Sequence, residues 1–527
     1  MNYQSTKDKD AVSSNGMAAT SHPLATEEAI RILQKGGNAV DAAIAASFVL
    51  SVVEPNATSI GGDCFAIVKM EGKNPVAYNG SGIAPGKASY EYFKKNKIDK
   101  IGLTSPHSVT IPGALDAWKN IHKDFGKLDF EELFLKAIDF AKNGFRVTKV
   151  VADAWSNNLS KLSENKNSKK LLLNNGKSYQ FSEIRKNIPL GETLELINKK
   201  GISEFYKGSI AEDMVNCLNE LGGLHTVEDF SKQKTIKSET ISSKYKNIQI
   251  HQCPPNGPGI AVLIMMKLIE KLEINKYNYN SIERFHLEAE VTKQAYKIKE
   301  ENIGDPDFVN FDLEKILSDK NINNILKNIS LSNCSDIGDL NIPSHPETVY
   351  LSVVDKDLNS VSIINSVCYA FGSGITTEKT GIVLHNRGTN FRVEEGHPNC
   401  IEGLKRPLHT IIPGMVLDNN NNSILSYGVM GGQYQPVGQV HVLNSILDYN
   451  MSPQEAISFP RAFHFNNIYK LEKGVSAEIK NGLNKLGHNV QYIDDTHGGG
   501  QAIKIDRQKG NLIGGSDPRK DGYAKGY

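Results

Sequence analysis

The sequence predicts a mixed α/β (α+β) protein, on three observations. Helical and strand-like patterns alternate from the start of the chain, a mostly helical stretch occupies its middle, and the last third turns to strand-like alternation. The 527 residues suffice for a large hydrophobic core. Neither a fixed-period repeat nor a clean linker divides the chain, so we expect one structural unit.

The N-terminal part predicts two helices followed by two strands. Residues 24–53 show helical periodicity that is broken at glycines 36–37, and Asn38 is the expected N-cap of the alanine-rich second helix. A glycine turn then leads into an apolar strand within residues 59–69, and residues 76–82 supply a second strand and turn.

The middle and the C-terminal third differ in pattern. Two Lys/Asn-rich stretches in the helical middle, residues 158–170 and 320–328, are interpreted as solvated connections. Alternation over residues 349–354, a polar turn and a partner strand at 360–365 predict a β-hairpin that begins directly after Thr348.

Charge and composition limit the classes of partner and the compartment. Lys and Arg (60) nearly balance Asp and Glu (59), which disfavours nucleic acid and anionic membranes and favours a small substrate. The polar N-terminus has no apolar segment of a signal peptide. Because the six cysteines form no CxxC pairs, we predict a reducing, cytoplasmic setting.

Several common chemistries lack their motifs. The chain has no HExxH, no GxSxG and no GxGxxG after a strand, and its fourteen histidines show no metal-ligand spacing. We therefore predict neither a metal nor a cofactor.

Eight short segments, spread over most of the chain and in the same order, resemble the γ-glutamyltransferase family. They are GGNAVDAA (36–43), IGGDCF (60–65), VTIPGA (109–114), ETVYLSVVD (347–355), FGSG (371–374), KRPL (405–408), MGG (430–432) and GSDPRKDG (515–522). The resemblance implies a four-layer αββα N-terminal-nucleophile hydrolase. It also implies a proenzyme that cuts itself between Glu347 and Thr348 into two interwound chains, 1–347 and 348–527.

The resemblance makes Thr348 the nucleophile, and elementary chemistry fits that role. A threonine hydroxyl needs a base, and the α-amino group freed by cleavage, with an unperturbed pKa of about 7.7–8.0, is a base on the same residue. The branched Cβ also restricts the side-chain rotamer. The alternative is an ordinary threonine in a strand.

Further site residues follow from the same resemblance. Gly431 and Gly432 match a glycine pair whose N–H groups face the oxyanion, the alternative being a simple glycine turn. Ser366 matches a hydroxyl beside the nucleophile, and Thr410 one near the substrate carboxylate. Both residue types are also frequent in strands and turns.

The substrate-binding positions depart from the family pattern. Ser81 replaces the arginine that binds the γ-glutamyl carboxylate. Four more positions differ: Arg387 replaces a glutamine, Asn390 an aspartate, Cys368 an asparagine and His409 a serine. Arg387 is either a replacement cation for a substrate carboxylate or part of a structural ion pair.

The predicted activity is therefore hydrolysis or acyl transfer on a γ-glutamyl-like or other small carboxylate-bearing amide, through an acyl-Thr348 intermediate. The only other association expected is that of the two cleaved chains with each other. The pattern around residues 386–391 and 406–410 resembles a branch of the family that includes oxamate amidohydrolases and relatives of cephalosporin acylases. Two alternatives remain open at this point: an oxamate amidohydrolase-like enzyme without γ-glutamyl activity, and a non-catalytic scaffold of the same fold.

Overall fold

The computed structural model describes residues 9–338, 340 and 347–527. Its strands and helices interleave along the chain. The strands are β1 (Ala11–Ser13), β2 (Met17–Ala19), β3 (Asp63–Lys69), β4 (Val76–Gly80), β5 (Phe145–Arg146), β6 (Ile184–Arg185), β7 (Ile236–Glu239), β8 (Ile241–Tyr245), β9 (Ile248–Gln252), β10 (Val349–Val354), β11 (Ser360–Ser366), β12 (Gly414–Asp418), β13 (Ser423–Met430), β14 (Ala462–Phe465), β15 (Ile468–Leu471), β16 (Val490–Tyr492), β17 (Gly499–Asp506), β18 (Asn511–Ser516) and β19 (Ala524–Gly526).

The helices are concentrated in the middle of the chain. They are α1 (Pro23–Gln34), α2 (Ala39–Val53), α3 (Tyr90–Lys95), α4 (Ala114–Phe125), α5 (Leu135–Asn143), α6 (Lys149–Asn157), α7 (Leu159–Glu164), α8 (Lys166–Leu172), α9 (Ile188–Lys200), α10 (Ser203–Lys207), α11 (Ser209–Glu220), α12 (Val227–Ser231), α13 (Gly259–Leu272), α14 (Ile282–Asn302), α15 (Leu313–Leu317), α16 (Asp319–Leu326), α17 (Gln435–Leu447), α18 (Pro453–Ser458) and α19 (Ala477–Lys485).

Two large antiparallel sheets form the centre of the molecule. Within the described residues each has seven strands: sheet 1 in the order β19-β2-β10-β11-β3-β4-β7 and sheet 2 in the order β1-β18-β17-β13-β12-β9-β8. Their inner faces share an apolar cluster that includes Phe65 and Tyr350 from sheet 1 and Met415 and Met430 from sheet 2. The sheets therefore pack face to face around a common core.

Helices cover the outer face of each sheet. Helix α2 packs on β10 and β11, and α4 packs on β3 and β4. On the other side α13 contacts β8 and β9, while α17 contacts β13. The result is the four-layer αββα arrangement, which confirms the predicted fold.

Helix α2 begins as the sequence predicts. The Asn38 side chain accepts hydrogen bonds from the N–H groups of Val40 and Asp41, and the Asp41 carboxylate accepts the N–H of Asn38. All residues of α2 are buried. Its many alanines allow this close packing, since small side chains let the neighbouring helices and sheet 1 approach the helix axis.

The two Lys/Asn-rich stretches in the helical middle are solvated, as predicted, but the prediction that they are connections between helices is wrong. Residues 158–170 form α7 and the start of α8, which bury Leu162 and Leu172. Residues 320–328 lie largely in α16, which buries Ile322 and Ile325. Each short helix buries only one or two apolar side chains. Among many Lys and Asn residues, so few apolar positions give no recognisable helical periodicity in the sequence. The predominantly helical middle also contains the strand run β7–β9, which the sequence analysis missed.

The hairpin after Thr348 is confirmed. Strands β10 and β11 pair antiparallel from Val349 opposite Asn365 to Val354 opposite Ser360. All six cysteines are free thiols. Among the helices of the described residues, none has both the length and the apolar character required to cross a membrane.

Gly428 tests the contact between the two sheets. A Cβ at this position of β13 would lie 2.3 Å from the Tyr350 ring of β10. We expect Gly428→Ala to destabilise the protein by about 1–3 kcal/mol through overpacking, measured as a lower midpoint of thermal unfolding. The matched control is Gly102→Ala, since Gly102 is exposed and its nearest neighbour to an added Cβ is 3.8 Å away. Equal midpoints for the two variants would contradict this account.

Candidate active site

Thr348 immediately precedes β10, an interior strand of sheet 1. Because Val349 pairs with Asn365, Thr348 stands opposite Ser366, the last residue of β11. The two hydroxyl oxygens are 3.3 Å apart, and Thr348 is almost fully buried. The structure thus brings together the predicted nucleophile and the hydroxyl predicted beside it.

The peptide carbonyl of Glu347 lies against both hydroxyls. Its oxygen accepts a hydrogen bond from Thr348 Oγ1 at 2.5 Å and one from Ser366 Oγ at 3.2 Å. In the unbroken chain the Thr348 hydroxyl is therefore already in contact with the bond that the sequence analysis identifies as scissile. Ser366 Oγ also accepts the N–H of Cys368 at 2.9 Å, which fixes its position.

Gly431 and Gly432 form the turn between β13 and α17. Their φ angles of 120° and 57° suit glycine, and a Cβ on Gly431 would lie 2.7 Å from the Gly498 Cα. Gln435, in the first turn of α17, donates from Nε2 to Thr348 Oγ1 at 3.4 Å. The predicted oxyanion segment therefore precedes a helix whose N-terminus contacts Thr348, the predicted nucleophile. Helix N-termini favour negative charge.

A buried carboxylate occupies the next strand. Asp63 begins β3 directly opposite Ser366, so both side chains point to the same face of sheet 1. Asp63 Oδ2 lies 2.9 Å from His385 Nδ1, 3.1 Å from His409 Nε2 and 3.3 Å from Arg387 Nε. These four side chains, here called the Asp63 cluster, are essentially inaccessible to solvent.

The charges in the Asp63 cluster balance one another. Burial alone would raise the pKa of Asp63, but the neighbouring His385 and His409 rings outweigh it and hold that pKa well below its usual range. Burial, assisted by the Arg387 charge, lowers the pKa of His409 to about 3. His409 is therefore a neutral donor to an ionised Asp63.

The sequence analysis missed Asp63 and His385 as site residues. Asp63 does lie in the GGDCF segment, which carried part of the family resemblance. A buried carboxylate directly after a glycine turn was the available signal. His385 is separated from Asp63 by 322 positions, and only the folded chain brings the two together.

Arg387 and Asn390 share a short 3₁₀ helix, Arg387–Asn390, and each leaves one polar atom without a partner. Arg387 donates from Nε to Asp63 and from Nη1 to Thr410 Oγ1 at 2.8 Å, while Nη2 is buried and has no hydrogen-bond partner among the described residues. Asn390 donates to the Leu408 carbonyl at 3.1 Å, and its buried Oδ1 accepts no hydrogen bond from any residue that the structure describes. An unsatisfied donor and an unsatisfied acceptor thus lie near each other in sequence and fold.

The other substituted positions are also buried. Ser81 donates to Asn79 Oδ1 at 2.6 Å, and the guanidinium of Arg406 hydrogen-bonds to the Ser81 carbonyl. Cys368 has a φ of 79°, and burial raises the pKa of its thiol. No described contact joins Arg387 or Asn390 directly to Thr348. The link is the pairing of Asp63 with Ser366.

A second cluster, distant in sequence from these residues, has the donor set of a metal site. His286, Glu290 and His488 each place a ligand atom within 4.8 Å of the others. Sequence spacing did not reveal it, because His488 is far from the other two along the chain. His286 Nδ1 and His488 Nε2 are 2.8 Å apart, and Lys293 Nζ donates to Glu290 Oε1 at 2.7 Å.

The αββα fold is that of the N-terminal-nucleophile hydrolases, and comparisons with known proteins support an amide-bond hydrolase or transferase. The sequence profile of the family described as Gamma-glutamyltranspeptidase matches residues 25–527. The chain belongs to this family.

Individual relatives cover nearly the whole chain. The glutathione hydrolase-like YwrD proenzyme of Bacillus subtilis is 34% identical over 98% of this chain and 99% of its own. The oxamate amidohydrolase proenzyme of Klebsiella pneumoniae is 28% identical over 98% and 99%. The crystal structure of cephalosporin acylase from Bacillus halodurans superposes with a TM-score of 0.93 at 31% identity, covering 99% of this chain and 97% of that one. These relatives are named as enzymes, which argues against the non-catalytic alternative.

Replacing Asp63 with asparagine tests the charge balance. We expect Asp63→Asn to lower the free energy of unfolding by about 3–5 kcal/mol at pH 7, because the positive charge of Arg387 stays buried after its partner is lost. The folded pKa of Asp63 is depressed, so its stabilisation is full above about pH 3.9 and is lost as the pH falls through the folded pKa. The difference between the midpoints of thermal unfolding of wild type and variant should therefore become smaller in acid.

The control for this measurement is Asp494→Asn. The Asp494 side chain is 98% exposed and pairs with Lys473 on the surface, so its replacement should barely move the midpoint. A wild-type advantage over Asp63→Asn that is small at pH 7, or that widens in acid, would contradict the proposed balance.

Proposed function

We propose that Thr348 is the nucleophile of a self-cleaving amidohydrolase whose acyl substrate carries a carboxylate. One observation carries the proposal: in the intact chain the Thr348 hydroxyl contacts the Glu347 carbonyl oxygen at 2.5 Å and the Ser366 hydroxyl at 3.3 Å. A nucleophile, a scissile carbonyl and a second hydroxyl are thereby grouped at one strand end. The YwrD and oxamate amidohydrolase relatives are both named as proenzymes, which supports the same interpretation.

The Thr348 hydroxyl would act twice, first in self-cleavage and then in catalysis. Attack of Thr348 Oγ1 on the Glu347 carbonyl carbon breaks the peptide bond and leaves an ester, which water then hydrolyses. The freed α-amino group of Thr348 has an unperturbed pKa of about 7.7–8.0 and can then accept the proton of the same hydroxyl. In catalysis the hydroxyl attacks the substrate amide, the amine leaves, and water or an acceptor amine releases the acyl group.

When Thr348 attacks a carbonyl, negative charge develops on the carbonyl oxygen, and hydrogen-bond donors near Thr348 must stabilise it. We assign this role to the backbone N–H groups at Gly431 and Gly432, supported by the glycine-only turn and the nearby N-terminus of α17. Removing one such donor typically costs about 2.7–4 kcal/mol of barrier. Ser366 would orient the Thr348 hydroxyl through their 3.3 Å contact.

The cleaved chains, 1–347 and 348–527, would remain one structural unit. In sheet 1 the strands β2, β3, β4 and β7 of the large chain alternate in groups with β19, β10 and β11 of the small chain. Sheet 2 is interleaved in the same way. We also infer a reducing compartment, which the six free thiols favour.

Substrate recognition is assigned to the two unsatisfied atoms. Arg387 Nη2 suits one oxygen of a carboxylate, and Asn390 Oδ1 suits an N–H group of the same acyl moiety. Arg387 is then both a structural partner of Asp63 and a substrate contact. His409 contacts Asp63, Thr410 contacts Arg387 and Cys368 contacts Ser366, so these three residues would border the bound acyl group.

A narrower alternative is an oxamate amidohydrolase-like activity without γ-glutamyl hydrolysis. It is favoured by uncharged Ser81 and Asn390, where γ-glutamyl-specific family members resemble each other in carrying an arginine and an aspartate. A hydrogen bond to a charged group contributes about 1.5–3 kcal/mol, so loss of both charges changes substrate preference. Ammonia release from oxamate, set against hydrolysis of a γ-glutamyl anilide, separates the two.

Self-cleavage is tested by the mass of the purified protein. Wild type should resolve into two fragments under denaturing conditions, with the smaller one starting at Thr348, and the fragments should co-elute under native conditions. Thr348→Ala should give a single full-length, inactive chain, because the hydroxyl is gone, and Thr348→Ser should still cleave. Intact mass spectrometry with N-terminal sequencing checks this. An uncut wild type after prolonged incubation would overturn the assignment.

The role of Arg387 is tested by Arg387→Lys, which keeps the positive charge near Asp63 but loses the second arm of the guanidinium. We expect KM for a carboxylate-bearing amide to rise about 10- to 100-fold. Activity towards an analogue whose carboxylate is esterified should change much less. Arg392→Lys is the matched control, since Arg392 belongs to the same segment but pairs with Glu300. An equal loss on both substrates would indicate a structural role alone.

A further inference from the structure

Lys293 of α14 is in direct contact with Cys334, a residue of the segment that follows α16, outside the site described above. Lys293 Nζ lies 2.8 Å from Cys334 Sγ, 2.7 Å from Glu290 Oε1 and 2.9 Å from the Ser335 carbonyl oxygen. Lys293 is 2% exposed. The side-chain amine is therefore held in one place by a carboxylate and a carbonyl while it contacts the sulfur.

The nitrogen–sulfur distance is short for these two elements. A hydrogen bond from N–H to oxygen spans about 2.7–3.2 Å, and sulfur is a larger atom than oxygen. A single oxygen atom that bridges nitrogen and sulfur would hold them at a separation of this size. Little movement is then needed to convert the contact into a covalent link.

The surroundings allow a small oxidant to reach the pair. Cys334 is partly exposed, and its N–H donates to the Leu486 carbonyl at 2.6 Å, so the backbone on the cysteine side is also fixed. Beside Lys293 lies a cavity of about 20 Å³, lined also by Ile337, Gly338 and His464. A cavity of about 10–15 Å³ already holds a water molecule, so this one leaves room for a molecule of that size beside Lys293, while Cys334 is reached from solvent.

We propose that Cys334 and Lys293 are a modification site at which dioxygen forms a covalent S–O–N cross-link. One thiol, one amine and one dioxygen give one S–O–NH link and one water. The S–H, one N–H and the O–O bond break, and the S–O, O–N and two water O–H bonds form. Sulfur and nitrogen each lose two electrons, and dioxygen gains four. The proton that the Lys293 ammonium must first release passes to solvent.

The cross-link would fasten the segment that leads towards Glu347 to α14. Both partners lie in the predicted large chain, upstream of the proposed cleavage site, so the link does not depend on the proposed function. Its formation is expected in Thr348→Ala as well as in wild type. A failure of self-cleavage and a failure of cross-linking are thus separate results.

Mass spectrometry of the full chain tests the proposal. Wild-type protein is split into an air-exposed sample and an anaerobic sample kept with dithiothreitol, and both are digested with trypsin. The air-exposed sample should contain the Lys293 and Cys334 peptides joined, with the summed mass plus one oxygen and minus two hydrogens. Trypsin should fail to cut after Lys293, and dithiothreitol should reverse the link.

Three variants complete the experiment. Lys293→Arg keeps the charge beside Glu290 and Cys334→Ser keeps a small polar side chain, and both should abolish the joined peptide. Cys400→Ser should retain it, since Cys400 is also partly exposed but bonds to the Ile401 carbonyl. Because the wild-type result stands without any variant, misfolding of one cannot hide the answer. Air-exposed wild type in which Cys334 is a free thiol, a disulfide or a sulfinic acid, with Lys293 unlinked, overturns the proposal.

Discussion

The antiparallel pairing of β10, β11 and β3 sets the positions on which the candidate site depends. It places Thr348 opposite Ser366 and Ser366 opposite Asp63, so three polar side chains stand in a row across sheet 1. A shift of one residue in either pairing would turn a side chain to the opposite face. Tyr350 and Gly428 help to hold this register, because the ring packs against the bare backbone of the facing sheet.

The features that were predicted correctly depend on local sequence patterns or on the family resemblance. The capped start of α2 at Asn38 and the hairpin after Thr348 depend on neighbouring residues, and both are confirmed. The short helices α7, α8 and α16 were missed because each buries only one or two apolar residues amid Lys and Asn. In these helices packing against the rest of the molecule outweighs composition.

Some residues of the candidate site were predicted and others were missed, again because sequence patterns report only local features. Thr348 and the Gly431–Gly432 pair lie in segments that resemble the family, and Ser366 falls where the family places a hydroxyl, so a role could be suggested for each. The Asp63 cluster joins residues that are far apart in the chain, and its bonding follows from burial rather than from any motif. The two interpretations of Arg387 also prove compatible, since one guanidinium contacts Asp63 with Nε and leaves Nη2 for another partner.

The interleaving of strands has a consequence for how long the protein lasts. The unbroken chain folds as a single molecule, with every strand tethered to its neighbours in sheets 1 and 2. Under the proposed cleavage before Thr348, the same sheets would be built from two polypeptides that have no short route back to each other after unfolding. Refolding would then be a bimolecular search in competition with aggregation. The working lifetime of the processed molecule would be governed by its rate of unfolding rather than by an equilibrium between folded and unfolded states.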